Sequence, residues 1–244
     1  MINARNSAAP PMSNEVRMLS NQVCCLCSQI AGSSEGDLIA TLLGEGEYVR
    51  RVAIESAHFA VLPSLGPLAP GHVLLCSKDH YKSFAAVPAD LDEEFEEIKR
   101  MLAARLEQEF GSAVHFFEHG SAPKDSRIIC TVDHAHLHCV PADIEIWPML
   151  SSFDEEWVSV APFLTDMRLA VAQREYLYYE SPNGLAAIAT SQSRRGFESQ
   201  IMRRTFSQAL GRPDQWNWRT APAPELADVT FRKLTQVPGS LARR

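Results

Sequence analysis

The stretch Asp133-His134-Ala135-His136-Leu137-His138-Cys139-Val140 sets three histidines at alternate positions. On a β-strand, alternate side chains share one face, about 6.6 Å apart along the chain. His134, His136 and His138 then line one side, while Ala135, Leu137 and Cys139 pack against a core. A lone histidine is more often structural than functional. Three on one strand face, from eight in 244 residues, point the other way. A row of imidazoles packs poorly and titrates near neutrality, so a fold seldom builds one without a use.

Upstream of this strand (128–140), residues 113–118 form another, and residues 46–62 and 71–77 carry the β-branched and aromatic content of two more. Between the latter, Pro63, Gly66, Pro67, Pro70 and Gly71 punctuate a rigid loop. From 90 to 110 the period changes: Leu91, Phe95, Ile98, Leu102, Leu106 and Phe110 recur at three and four, one buried helical face. Asp90 is placed to cap its start and Gly111 to close it. Downstream, Ser181-Pro-Asn-Gly184 lies between two strand-like runs as a hairpin turn, and a helix is expected over 197–210.

Cys24-Cys25-Leu26-Cys27 contains a C-x-x-C pair, Cys24 and Cys27. Such a pair can chelate one tetrahedral zinc ion if two more ligands exist. His134, at the end of the histidine strand, and His80, just past a strand end, are candidates; a set of merely buried thiols is the alternative. A Cys2His2 site has every position filled by protein and is structural, not catalytic.

Composition sets the outer bounds. Apolar residues make up 45% and charged residues 22%, with a net charge of −7. That sign argues against a general nucleic-acid coat, though not against a local basic pocket for one anion. No run approaches the roughly 20 apolar residues needed to cross a bilayer. Residues 1–20 read as a disordered leader and not as a signal peptide, which leaves the cytoplasm as the default location. Six cysteines in a reducing compartment do not suggest a disulfide framework, and close pairs among them are read first as metal ligands.

The run His134-Ala-His-Leu-His-Cys-Val140 resembles the motif of the histidine triad (HIT) superfamily, in which three histidines alternate with apolar residues. The order of features around it is similar too: C-x-x-C, Pro70-Gly71-His72 before a strand, His80, a long helix, then Glu118-His119-Gly120. The resemblance covers about residues 22–142, and the C-terminal region is similar, less closely, to the tails of longer bacterial members. It implies zinc held by Cys24, Cys27, His80 and His134, His136 as nucleophile, and His138 on the phosphate. Thr131 then occupies the position of a hydroxyl that assists the leaving group.

Two features depart from the family pattern. Ser64 stands where many members hold the ribose with Asp, and Glu118-His119-Gly120 replaces Asn-x-Gly. Both suggest a different or larger leaving group. Phe59 falls where members contact the base, although it suits a core position equally. On the helix expected over 197–210, Arg203 or Arg204 is placed either to reach a polyphosphate or to lie on a solvated face.

The expected architecture is therefore α+β: an antiparallel HIT-like sheet with a long helix over 21–145, and an α/β extension over 146–244 packed against it. The expected activity is hydrolysis at the α-phosphate of a nucleotide conjugate, such as a dinucleoside polyphosphate or a nucleoside phosphoramidate. A nucleotidyltransferase or phosphorylase using the same intermediate, and a non-catalytic nucleotide-binding protein, are the rivals. A homodimer is a family expectation, unless the extension covers the usual dimer surface.

Overall fold

The computed structural model describes residues 24–34, 37–44, 49–121, 132–172, 174–192 and 196–236. Thr131 and the leader 1–20 lie outside the described residues.

Eight strands form one sheet: β1 (Ile54–Glu55), β2 (Phe59–Pro63), β3 (Val73–Ser77), β4 (Val114–Gly120), β5 (His136–Pro141), β6 (Trp157–Val160), β7 (Tyr176–Glu180) and β8 (Ala186–Thr190). The order across it is β1-β2-β3-β5-β4-β7-β8-β6, and each neighbouring pair runs antiparallel. The helices are α1 (Cys25–Ala31), α2 (Leu38–Leu43), α3 (Asp92–Phe110), α4 (Trp147–Leu150), α5 (Leu164–Val171), α6 (Ile201–Ala209) and α7 (Pro224–Thr235).

The period-2 rule decides what each face of the sheet buries. Phe59 and Val61 of β2, Leu75 of β3, Leu137 and Cys139 of β5, and Phe116 of β4 pack with Phe95, Ile98, Leu102 and Leu106 of α3. Their neighbours point the other way, into two separate clusters. Ala60, Leu62 and Cys76 join Leu26 and Ile30 of α1, while Phe117, Val140, Leu177 and Tyr179 join Met202 and Phe206 of α6. α1 and α6 therefore cover different parts of one face, and β5 runs between them.

The long helix starts differently from the expectation. Residues Ala89–Leu91 form a 3-10 turn, and Leu91 precedes α3 without any side-chain cap. The acid that does engage is Asp92, whose carboxylate takes Arg168 of α5 and Thr165. Tertiary pairing thus outweighs the local cap. Gly111 closes the helix at φ 77°, in the left-handed region that suits glycine.

The C-terminal strands continue the same sheet. β7 lies along β4, with Glu118 opposite Tyr178 and Gly120 opposite Tyr176. β7 and β8 form the hairpin expected around Ser181–Gly184, closed by the Gly184 N–H on the Ser181 carbonyl at 2.9 Å. The edge strand β6 and the two short helices α1 and α2 had no expectation attached to them.

Candidate active site

The first triad position sits at the entry to β5. Cys24 precedes α1 and Cys27 lies one turn on, so the two thiols share a side of the helix. The Cys27 Sγ lies 3.3 Å from His80 Nδ1 and 3.4 Å from His134 Nδ1; Cys24 Sγ lies 3.5 Å from His134 Nδ1. All four donor atoms fall within 4.8 Å of one another. A tetrahedral ion with bonds of about 2.0–2.3 Å sets its ligands about 3.3–3.8 Å apart, so the donor set fits a metal. The His134 tautomer fits as well. Its Nε2–H donates to the Ser77 carbonyl at 2.8 Å, which leaves the Nδ1 lone pair on the side of the thiols. Burial holds His134 down to about 4 and raises the Cys27 thiol to about 12.

The middle position is tied to the first through the backbone. His136 Nδ1–H donates to the His134 carbonyl at 2.5 Å, which leaves Nε2 with its lone pair. Burial lowers the pKa of His136, and the Arg203 charge lowers it further, so the imidazole is neutral near pH 7. A neutral ring with one nitrogen anchored and the other basic is a prepared nucleophile.

The third position is set by a relay. The Leu68 N–H donates to His72 Nδ1 at 3.0 Å. His72 Nε2 must then carry the hydrogen, and it lies 2.9 Å from His138 Nδ1. His138 therefore accepts at Nδ1 and carries its own hydrogen on Nε2, as a donor. Burial holds both rings well below the usual histidine pKa, which keeps this arrangement fixed. The Phe117 ring stacks on His138 at 4.3 Å between centroids and fixes its plane.

These residues open on a cleft between α1 and α6. His136, His138, His119, Ser64 and Arg203 provide its polar side; Leu26, Ile39, Leu65, Met202 and Trp218 provide an apolar one. Arg203 enters from α6, 4% exposed, with Nε on the Trp216 carbonyl at 2.8 Å and Nη2 on the Gly66 carbonyl. Burial lowers its pKa to about 10, so the guanidinium stays charged at neutral pH. Among the described residues its partners are backbone carbonyls, not a carboxylate. A buried cation without a counterion is costly, and an anionic ligand relieves that cost. The Gly66 loop is seated by the extension. A Cβ at Gly66 would stand 2.6 Å from Trp218 Cα, and its φ of 62° is left-handed.

Three of the residues weighed as substrate contacts do not line this cleft. Phe59 belongs to the α3-side core, stacked with Phe84 at 6.2 Å and edge-on to Phe95 at 5.7 Å. Glu118 is on the same side, by strand parity with Phe116. It accepts the Phe84 N–H at 2.9 Å and the Tyr176 hydroxyl, and burial lifts its pKa to about 7. Arg204 points outward, paired with Glu198 at 2.6 Å and lying over the Trp216 ring at 4.5 Å. Ser64 and Arg203 do line the cleft, and Thr131 lies outside the described residues. His119, which the sequence allows to face the pocket, lines the cleft, and His72, read as a structural residue at a strand start, backs His138. The parity of β4 could have found His119, since burying Glu118 on one face turns His119 to the other. His72 follows from the tertiary register alone.

Residues 47–154 match the model of a family described as "Protein similar to CwfJ C-terminal", a HIT-like family. That stretch is less than half of the chain and includes the three alternating histidines at the start of β5, so this part of the chain is similar to a histidine triad-like family. The chain is also similar to several solved structures. A hypothetical histidine triad nucleotide-binding protein from Sulfolobus tokodaii is 16% identical over 43% of this chain and 66% of that one, just under two thirds of its length (TM-score 0.31). A HIT family protein from Bacillus anthracis is 19% identical over 49% and 73% (TM-score 0.36). A HIT family member from Bacillus subtilis is 20% identical over the same shares (TM-score 0.35). No curated protein matches the chain. Among the described residues no helix is long and apolar enough to cross a membrane.

Proposed function

We propose that this protein hydrolyses a nucleotide conjugate, of the dinucleoside polyphosphate or nucleoside phosphoramidate type, at its α-phosphate through a covalent nucleotidyl-His136. The observation that carries this reading is the pair of hydrogen bonds fixing the two neighbouring rings in opposite states. His136 is anchored at Nδ1 and basic at Nε2; His138 accepts at Nδ1 and donates from Nε2. One attacks and the other stabilises the phosphoryl oxygens. The apolar side of the cleft suits a base, and the Arg203 charge suits the phosphates.

In the first step the His136 Nε2 lone pair forms a bond to the α-phosphorus, and the bond from phosphorus to the leaving group breaks. In the second, water attacks the same phosphorus and loses a proton to solvent, while the P–N bond breaks and its electron pair returns to Nε2, which regenerates His136. His138 and Arg203 meet the negative charge on the phosphoryl oxygens in both steps.

Cys24, Cys27, His80 and His134 would hold a structural zinc ion. Bound zinc supplies no chemistry to the substrate; it locks His134, whose carbonyl aims His136. The free thiols of Cys24 and Cys27 favour a reducing, cytoplasmic setting. Both edges of β4 are filled, by β5 and β7, so a homodimer of this chain would use another face.

The test is product analysis on a panel of adenylyl and guanylyl donors, with and without inorganic phosphate. Release of the nucleoside monophosphate, independent of phosphate, is expected. Products that carry the added phosphate would replace hydrolysis with phosphorylase chemistry. Tight binding of donors without turnover would overturn both in favour of a binding protein.

A further inference from the structure

The wall of the cleft formed by α1 and α2 carries one strongly polar side chain among the described residues. Cys25 and Leu26 of α1 and Leu38 and Ile39 of α2 line it, and Gln29 stands among them. Gln29 is 8% exposed. Its Nε2 donates to Asp37 Oδ1 at 3.3 Å, the same oxygen that caps α2 by accepting the Ile39 and Ala40 N–H groups at 3.0 Å. Asp37 is fully buried, and its Oδ2 has no partner among the described residues. Turning the amide over would set Gln29 Oε1 against a carboxylate already short of donors, so the amide has one orientation. Oε1 lies on the other side of that amide. Among the described residues no donor reaches it, and it is not sealed from solvent. It is an accessible acceptor, fixed in direction, on an otherwise apolar wall. Bridging α1 to α2 uses Nε2 alone and leaves Oε1 for a ligand.

We infer that Gln29, held in place by Asp37, selects the base of the substrate, and that it selects adenine by accepting a hydrogen bond from the exocyclic amino group. The inference rests on the proposed nucleotide conjugate as substrate, with its phosphates at Arg203 and His138 and its base against the α1–α2 wall. A fixed carbonyl oxygen attracts an amino N–H and repels an oxo group. Hypoxanthine has the outline of adenine but sets an oxygen where adenine has the amino group. Guanine carries that same oxygen and adds N1–H and a 2-amino group, more polar groups than this wall can pair. Cytosine has an amino group, but also an oxo group and a smaller face to lay on the apolar side chains. Adenine sets its one donor group on the one acceptor and its ring faces against Leu26, Leu38 and Ile39.

The experiment is titration calorimetry of the full-length protein with the 5′-monophosphates of adenosine, inosine, guanosine and cytidine. The wild type should bind adenosine monophosphate about 10- to 100-fold more tightly than inosine monophosphate, and more tightly than the other two. Gln29→Leu should bring the adenosine-to-inosine ratio to within about 3-fold of unity. Asp37→Asn keeps a cap for α2 but offers the amide a donor to face, so Gln29 can turn over. In that variant the ratio should fall by about 10-fold. A loss of packing alone weakens all four nucleotides together and leaves the ratio unchanged. A wild-type ratio near one, tighter binding of guanosine or cytidine monophosphate, or a ratio that survives Gln29→Leu overturns the inference and leaves the nucleotide reading standing. Binding of none of the four at millimolar concentration removes the nucleotide reading, and the inference with it.

Discussion

The two ends of β5 carry the same residue type in the same pattern and put it to opposite uses. At the entry, His134 is closed in by Cys24, Cys27 and His80, four protein donors with no position left over. Further along, His138 is reached from behind by His72, while its front shares a cleft with Arg203. The first end is complete in itself. The second faces an open cleft, with the buried Arg203 guanidinium on its polar side. His136 belongs to both, since its Nδ1 is held by the closed end and its Nε2 serves the open one. The difference teaches that spacing along a strand fixes which residues share a face, while the elements packed on that face decide what each one does.

The largest effect is expected at the open end. Arg203→Met keeps most of the side-chain length and removes the charge, and should lower kcat/KM by about 100- to 1,000-fold. Binding of an uncharged nucleoside should change far less. Wild-type kcat/KM in this variant would show that the cleft does not depend on the Arg203 guanidinium.

Breaking the closed end should cost less in rate and more in stability. Cys27→Ser should lose bound metal, read by mass spectrometry of the native protein, lower the melting temperature, and reduce turnover about 10- to 100-fold. Full turnover without metal would separate the two ends and remove the argument that His134 aims His136.

A smaller effect sharpens the relay. In His72→Asn the amide oxygen can still accept the Leu68 N–H, but the donor to His138 Nδ1 is gone. A fall of about 10-fold in kcat/KM is expected, the worth of one hydrogen bond. An unchanged value would mean that the His138 tautomer is set by something other than His72.

The smallest effect concerns pH and lies off the site. Glu118 is held at about 7 against an ordinary 4.5, by burial. A folded pKa above the unfolded one gives a contribution to stability that is whole below about 4.5. It is lost as pH rises through about 7. Across that window the wild type should lose stability relative to Glu118→Gln, by about 1.4 kcal/mol per pH unit at most. Parallel pH profiles in chemical denaturation would contradict the assignment.

The parts of this molecule that repeat were legible in the sequence. The alternation of β5 announced the histidine row and its apolar underside, and the three-four spacing announced α3. The C-x-x-C spacing named half of the metal cluster, because two thiols one turn apart need no tertiary knowledge to be paired. What spacing left open was single residues judged one at a time. Phe59 suited cleft and core equally and Glu118 was placed by its position in a motif, and strand parity turns both to the α3 side. Arg203 and Arg204 are neighbours in sequence and part ways in space, one over the cleft and one into solvent beside Glu198. No local pattern separates them, since the choice depends on where α6 docks. The Glu175–His119 pair was invisible for the same reason: only the pairing of β7 with β4 brings the two together.

The most direct test of the central claim is the mass of the protein caught in turnover. The wild type and His136→Ala are mixed with adenylyl and guanylyl donors, quenched within seconds into alkaline denaturant that preserves a P–N bond, and weighed intact. The covalent reading expects a nucleotide-sized adduct on the wild type and none on His136→Ala, with turnover in the variant reduced at least about 10,000-fold. Donor consumption by the variant at the wild-type rate would contradict it outright.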